Sequence, residues 1–262
     1  MIMSRKSAFT LLELSIVLVI IGLVVGGVLV GTDLIKSAKL QKVIRESQGY
    51  ANAAATFKLK YNGIPGDMPN PEDYFPDYEW NSGSMDINSG FIYGQSEGAD
   101  AWKQLSLAGL IGASVQGANE YCGVTASAPE SCSGGIGITS PRSSFSDRAT
   151  WGIGVSRQTN RNVVLLGAGP TGDQAAWPHR GILTSLGAYN IDSKIDDGMP
   201  YSGSVRNERS IGSNLTGVAD WEYYRCTDRD NNVTTKNGGN DPADYFKVDG
   251  EPTCSLTFPL GI

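Results

Sequence analysis

FTLLELSIVLVIIGLVVGGVLVG, residues 9–31, runs without punctuation into TDLIKSAKLQKVIRESQGYANAAATFKLKY, residues 32–61, and the reading of this pair decides the fold. In the first part only Thr10, Glu13 and Ser15 are polar. As a helix it would span about 34 Å, enough to cross a hydrocarbon core of ~30 Å. Arg5 and Lys6 precede it, and Asp33 is the first charge after it. The positive-inside rule then leaves the N-terminus in the cytoplasm and sends the rest across. A cleaved secretory signal is the alternative, but its apolar core runs about 7–15 residues and ends at a small-residue site. This run is longer, and polar helix follows it directly.

Beyond Gly31 the period continues. Ile35, Ala38, Val43 with Ile44, Ser47, Ala51, Ala54, Phe57 and Tyr61 recur at three-to-five-residue spacing, as on one helix face. Lys36, Lys39, Lys42, Arg45, Glu46 and Lys58 fall largely off it. Nothing breaks the pattern before the turn signal Asn62-Gly63-Ile64-Pro65-Gly66-Asp67. One helix from Phe9 to about Lys60 would be ~78 Å long, half in lipid and half packed on a soluble domain.

Composition divides at the same place. Residues 1–61 carry a net charge of +5 and no Pro, Cys or Trp; residues 62–262 carry −11 and hold all 12 Pro, four Cys and five Trp. An acidic chain without a basic globular face argues against nucleic acid as a partner. A single histidine, His179, weakens the case for zinc enzymes and acid–base hydrolases, and it reads as a surface loop residue.

Glu13 is the informative residue. A carboxylate inside an apolar span costs about 2.5–3.5 kcal/mol on insertion scales, so it is a functional candidate, unless its place near the start keeps it wet. The stretch Ser7-Ala8-Phe9-Thr10-Leu11-Leu12-Glu13-Leu14, between a short basic leader and an apolar helix, resembles the processing site of type IV prepilins and type II secretion pseudopilins. The resemblance implies that prepilin peptidase cuts between Ala8 and Phe9 and that Phe9 becomes the methylated N-terminus. It also implies that Glu13 pairs with the free amine of a neighbouring subunit. Ala8 replaces the family's usual Gly, which implies slower processing. No Pro interrupts the span; Gly26, Gly27 and Gly31 supply low-propensity positions in its place.

The division that follows is a leader over residues 1–8, a transmembrane half-helix over 9–31, an amphipathic half-helix over 32–61 and a globular domain over 62–262. Within the last, helices are expected over Gly98–Ile111 and from a Thr184 cap to Ile195. Strands are expected at Trp151–Val155, Asn162–Leu166, Trp221–Arg225 and Ser255–Leu260. The expected fold is α+β: a long helix packed on a small antiparallel sheet, as in pilins. The Ile-Pro-Gly-Asp and Lys-Ile-Asp-Asp-Gly stretches resemble ones in larger pilin-like proteins.

Cys122, Cys132, Cys226 and Cys254 all lie on the translocated side, where an even count favours two disulfides out of three connectivities. Proximity in sequence favours Cys122–Cys132 and Cys226–Cys254. No CxxC spacing supports zinc. Residues 167–172, GAGPTG, match GxGxxG, but Pro178 leaves no room for the helix that a dinucleotide site needs, so they read as a loop. Asp228, Asp230 and Asn232 have the spacing that opens a calcium loop. Val233 takes the place of the turn glycine and no Glu closes the loop, so a solvated hairpin tip is preferred to calcium. The resemblance lends calcium some support, because the major pseudopilin of type II secretion binds it in a C-terminal loop. Asp86-Ile87-Asn88-Ser89-Gly90, with Glu97 beyond, is a weaker candidate still. No nucleophile–base set is apparent and no cofactor is expected.

The resemblance makes the chain a structural subunit in the bacterial inner membrane, with a periplasmic domain that becomes extracellular in a pilus. The partners it implies are copies of itself or other pilins, prepilin peptidase, membrane lipid, and an assembly platform with its secretin. A pseudopilin is the alternative within the family. A periplasmic enzyme or carbohydrate-binding module on a plain anchor is the alternative from another class, with five Trp and eleven Tyr available as a sugar platform.

Overall fold

The computed structural model describes residues 11–76, 78, 88–117, 136–156, 158–168, 181–208, 226 and 252–262. Helix α1, Leu11–Tyr61, is one unbroken element of 51 residues, about 76 Å long. It ends where Asn62 turns left-handed at φ 52°, followed by the Ile64–Asp67 turn. A short 3₁₀ turn, Pro71–Asp73, follows. Helix α2 covers Gly94–Leu107 and α3 covers Ser185–Ile195. The strands are β1 Ala149–Val155, β2 Asn162–Ala168, β3 Arg206–Asn207 and β4 Leu256–Pro259. They form an antiparallel sheet in the order β1-β2-β4-β3. The α+β expectation is met.

Register explains how the sheet meets α1. Trp151 pairs with Leu166 and Leu166 with Leu256; Ile153 pairs with Val164 and Val164 with Phe258. Directly paired residues share a face, so these six side chains make one apolar surface. All six join Val43, Ala54 and Phe57 of α1 and Trp102 and Leu105 of α2 in one core. Val163 and Leu165 point to the opposite face and form a separate buried pair.

Several boundaries differ from expectation. β1 starts two residues earlier and β2 runs two residues further, so Gly167 and Ala168, read as the start of a loop, are strand residues paired with Thr150 and Ala149. α2 begins and ends four residues earlier than the apolar spacing suggested. Gly109, at φ 68°, stops it: Gly109 N–H donates to Ser106 and Leu110 N–H to Leu105, the paired bonds of a Schellman close. β3 was not foreseen, since two residues carry no periodic signal. The Trp221–Arg225 strand candidate lies outside the described residues. α3 behaves as read: the Thr184 hydroxyl accepts from Gly187 N–H at 3.1 Å and caps it.

Candidate functional site: the bare half of α1 and its junction with the head

The two halves of α1 meet different surroundings. From Leu11 to Val30 every residue is exposed, with Leu11 at 88% and Leu23 at 75%. The polar atoms there look after themselves. The Ser15 hydroxyl donates to the Leu12 carbonyl at 2.9 Å, and Thr32 to Leu29 at 2.8 Å, an arrangement that needs no water. Glu13 lies on α1, two residues after the first described residue. α1 runs through Gly26, Gly27 and Gly31 without a break. A Cβ at any of the three would meet nothing within 4 Å, so no part of the described chain covers this segment.

Packing begins at Leu40, which lies against α3 beside Gly187. Val43, Ser47, Ala53, Ala54 and Phe57 are buried. Ile35 and Ala38, expected on this face, are exposed, because the head starts one turn further along. Tyr50, absent from the expected stripe, is central. Its ring stands edge-on to Trp102 at 4.8 Å and to Trp151 at 5.5 Å, joining α1 to α2 and β1. Burial, and secondly the charge of Glu46, raise its phenol pKa.

Glu46 is the residue that sequence reasoning placed wrongly. Read as off the packed face, it is half-buried and accepts from Ser143 Oγ at 2.7 Å, Ser144 N–H at 3.0 Å, Ser144 Oγ, and Trp151 Nε1 at 2.9 Å. These donors come from about one hundred residues further along the chain. Burial alone would raise the carboxyl pKa. The donors of Ser144, Ser143 and Trp151 outweigh it, and the net shift is downward. The one available signal was a lone acid among helix lysines, which periodicity cannot assign.

The Ile-Pro-Gly-Asp stretch closes the far end of α1. Gly66, at φ 83°, donates its N–H to Gln104 Oε1 at 2.7 Å, and a Cβ there would lie 2.4 Å from the Glu97 carbonyl. Only glycine fits. Asp67 accepts from Ser89 N–H at 3.1 Å and Gly90 N–H at 2.7 Å. Burial raises its pKa despite these donors. Within the weaker calcium candidate, Ser89 and Gly90 donate to the Asp67 carboxylate, and Glu97 accepts from Tyr93 N–H at the start of α2; Asp86 and Ile87 lie outside the described residues.

The Lys-Ile-Asp-Asp-Gly stretch orders a loop in a similar way. Asp196 accepts from Ser204 and Val205 N–H, and Asp197 from Met199 N–H and Ser202 Oγ. Buried Asp192 accepts from Gly198 N–H at 3.3 Å. One oxygen from each of Asp192, Asp196 and Asp197 lies within 4.8 Å of the others.

Cys226 and Cys254 form a disulfide with Cα atoms 5.1 Å apart. Cys254 also bridges Leu183, so the bond ties residue 226 to the strand pair leading into α3 and β4. Ala8 and Phe9, Cys122 and Cys132, Asp228, Asp230 and Asn232, His179, and residues 169–172 of the Gly-rich stretch lie outside the described residues.

The family model of the prokaryotic N-terminal methylation motif matches residues 3–29, about a tenth of the chain. No curated protein and no solved structure is significantly similar to the chain. The motif and the long apolar helix together fit a type IV pilin or pseudopilin. They support a membrane-anchored structural subunit, processed by prepilin peptidase and assembled with other pilins.

Proposed function

We propose that the chain is a pilin-like subunit that polymerises into a type IV pilus or pilus-like filament. Residues 1–8 are the leader, cut between Ala8 and Phe9, and Phe9 is then N-methylated. Residues 9–31 anchor the precursor in the inner membrane with the N-terminus cytoplasmic and the head periplasmic. An assembly platform lifts the subunit out, and a secretin lets the growing filament pass. The observation that carries this reading is the coincidence of the methylation motif with an apolar half-helix that the described residues leave bare. In lipid that surface is solvated by acyl chains; in a filament it is covered by the same surface of neighbours.

Glu13 supplies the register. Near the membrane surface its charge stays hydrated, but in a filament core a buried unpaired carboxylate costs several kcal/mol. The Phe9 amine of an adjacent subunit is its natural partner. N-terminal mass spectrometry of the mature protein should show N-methylated Phe9. Glu13→Gln keeps the size and removes the charge, so insertion and cleavage should persist while recovery in sheared filaments falls severely. An intact leader would overturn the reading in favour of a plain anchor. Wild-type assembly by Glu13→Gln would remove the carboxylate's role.

A further inference from the structure

From Leu34 to Tyr61 there are six Lys or Arg and one carboxylate, Glu46, which is turned onto Ser143, Ser144 and Trp151. From Asn62 to Trp102 there are eight carboxylates and no Lys or Arg. Three of the eight, Asp67, Glu97 and Asp100, are buried in the head. Glu72 and Asp73 are exposed on the 3₁₀ turn, and Lys39, Lys42 and Arg45 are exposed on α1. These two groups cannot meet within one molecule. The Tyr74 ring stands 5.3 Å from that of Tyr61, which fixes the turn at the far end of α1. Arg45 lies about 24 Å before Tyr61 along the helix, some three Debye lengths at physiological salt. Lys58 and Lys60 do share that end, with Lys60 Nζ 4.9 Å from the centre of the Tyr61 ring. Glu72, Asp73, Asp77, Glu79 and Asp86 outnumber them.

Sign and distance decide what covers the three cations. They lie about 12–21 Å beyond Gly31, clear of a headgroup layer of about 5–7 Å, so lipid is not their counterpart. The same stretch of a second α1 would set cations against cations and repel. A second head carries the opposite sign. We propose that Lys39, Lys42 and Arg45 dock on the carboxylate-rich segment around Glu72 and Asp73 of a second copy of this chain. For parallel copies this needs a displacement along the helix axis of about 24–33 Å. The contact rests on the filament reading and deepens it. It joins copies farther apart than the Phe9–Glu13 pair does, whose residues are about 6 Å apart along the helix. Apolar contact between the bare halves is non-directional, whereas opposite charges at two fixed levels select one stagger.

The test uses the full chain in its native cell, with processed protein in membranes and in sheared filaments measured for each variant. K42E/R45E and E72K/D73K should each lower filament recovery about tenfold or more, because like charges then face each other. K42E/R45E/E72K/D73K restores opposite signs and should regain most of the loss. Near-ultraviolet circular dichroism of each purified variant checks that the head is folded. Wild-type recovery by K42E/R45E would overturn the proposal. So would a fourfold variant no better than K42E/R45E, which would make the partner a different acidic protein. Mass spectrometry of the N-terminus in the same samples separates this contact from the filament reading. Methylated Phe9 with filaments unaffected by K42E/R45E removes the contact alone. A wild-type chain with an intact leader and no filaments removes both.

Discussion

One helix carries two kinds of apolar residue in this protein. Leu23 and Phe57 lie on the same uninterrupted α1, yet Leu23 is 75% exposed and Phe57 is 0% exposed. In the first half the apolar residues go all the way round, so no single contact within the chain could cover them. In the second half they form a stripe, and the sheet, α2 and α3 close over it. A helix apolar on every side needs a solvent or neighbours of its own kind; a helix apolar on one face needs only a domain. The difference separates the part of the molecule that folds from the part that anchors and assembles.

Equal truncations in the two halves should give the largest contrast. Phe57→Ala opens a cavity among Tyr61, Phe75 and their neighbours and should destabilise the head by about 3–5 kcal/mol. Leu23→Ala should leave head melting unchanged in detergent, read from near-ultraviolet circular dichroism of the tryptophans. Equal losses from both would mean that the bare half packs on the head after all.

The disulfide belongs to the head alone. Removing it with C226S/C254S opens a loop of 28 residues and should cost about 3.6 kcal/mol. Membrane retention should not change, and non-reducing peptide mapping should recover the Cys226–Cys254 link from the native protein.

Glu46 sharpens the boundary, because it is where a charge off the helix stripe became part of the head. Glu46→Gln keeps an acceptor but removes the charge that four donors address, and should cost about 2 kcal/mol. Acid should reproduce part of this loss. A carboxyl with a lowered folded pKa stabilises above its ordinary value of 4.5, and that contribution disappears as the pH falls through the lowered value. Asp67 acts in the reverse sense: its folded pKa is raised, so folding gains as the pH falls through it. The difference between wild type and Glu46→Gln should therefore shrink below pH 4.5, measured by urea melts at a series of pH values. A constant difference would show that charge is not what Ser143, Ser144 and Trp151 respond to.

The smallest effect is expected at the first contact of the packed half. α3 meets α1 beside Leu40, and Thr184→Ala removes the α3 cap, which should cost about 1 kcal/mol in head stability.

Most of the fold was legible, and the reasons are local. Thr184 announced α3 through its hydroxyl, the Asn62–Asp67 turn announced the end of α1, and β1, β2 and β4 appeared as β-branched and aromatic runs. What was not legible depended on partners far away in sequence. Tyr50 and Glu46 gained their roles from Trp102, Trp151, Ser143 and Ser144, which no spacing on α1 could reveal. The exposure of Ile35 and Ala38 depended in turn on where the head first touches the helix.

The sequence by itself determined the long helix, the methylation motif, the split between a basic helix and an acidic head, and the positions of the main strands. Each is written in composition or in a period of a few residues, which neighbours along the chain enforce. Only the tertiary structure decided the order β1-β2-β4-β3, the carboxylate that fastens α1 to β1, and the turns organised by Asp67 and Asp196. These rest on hydrogen bonds and close backbone approaches that compete with water until a whole domain surrounds them. Their energies exist only after folding has brought distant segments together.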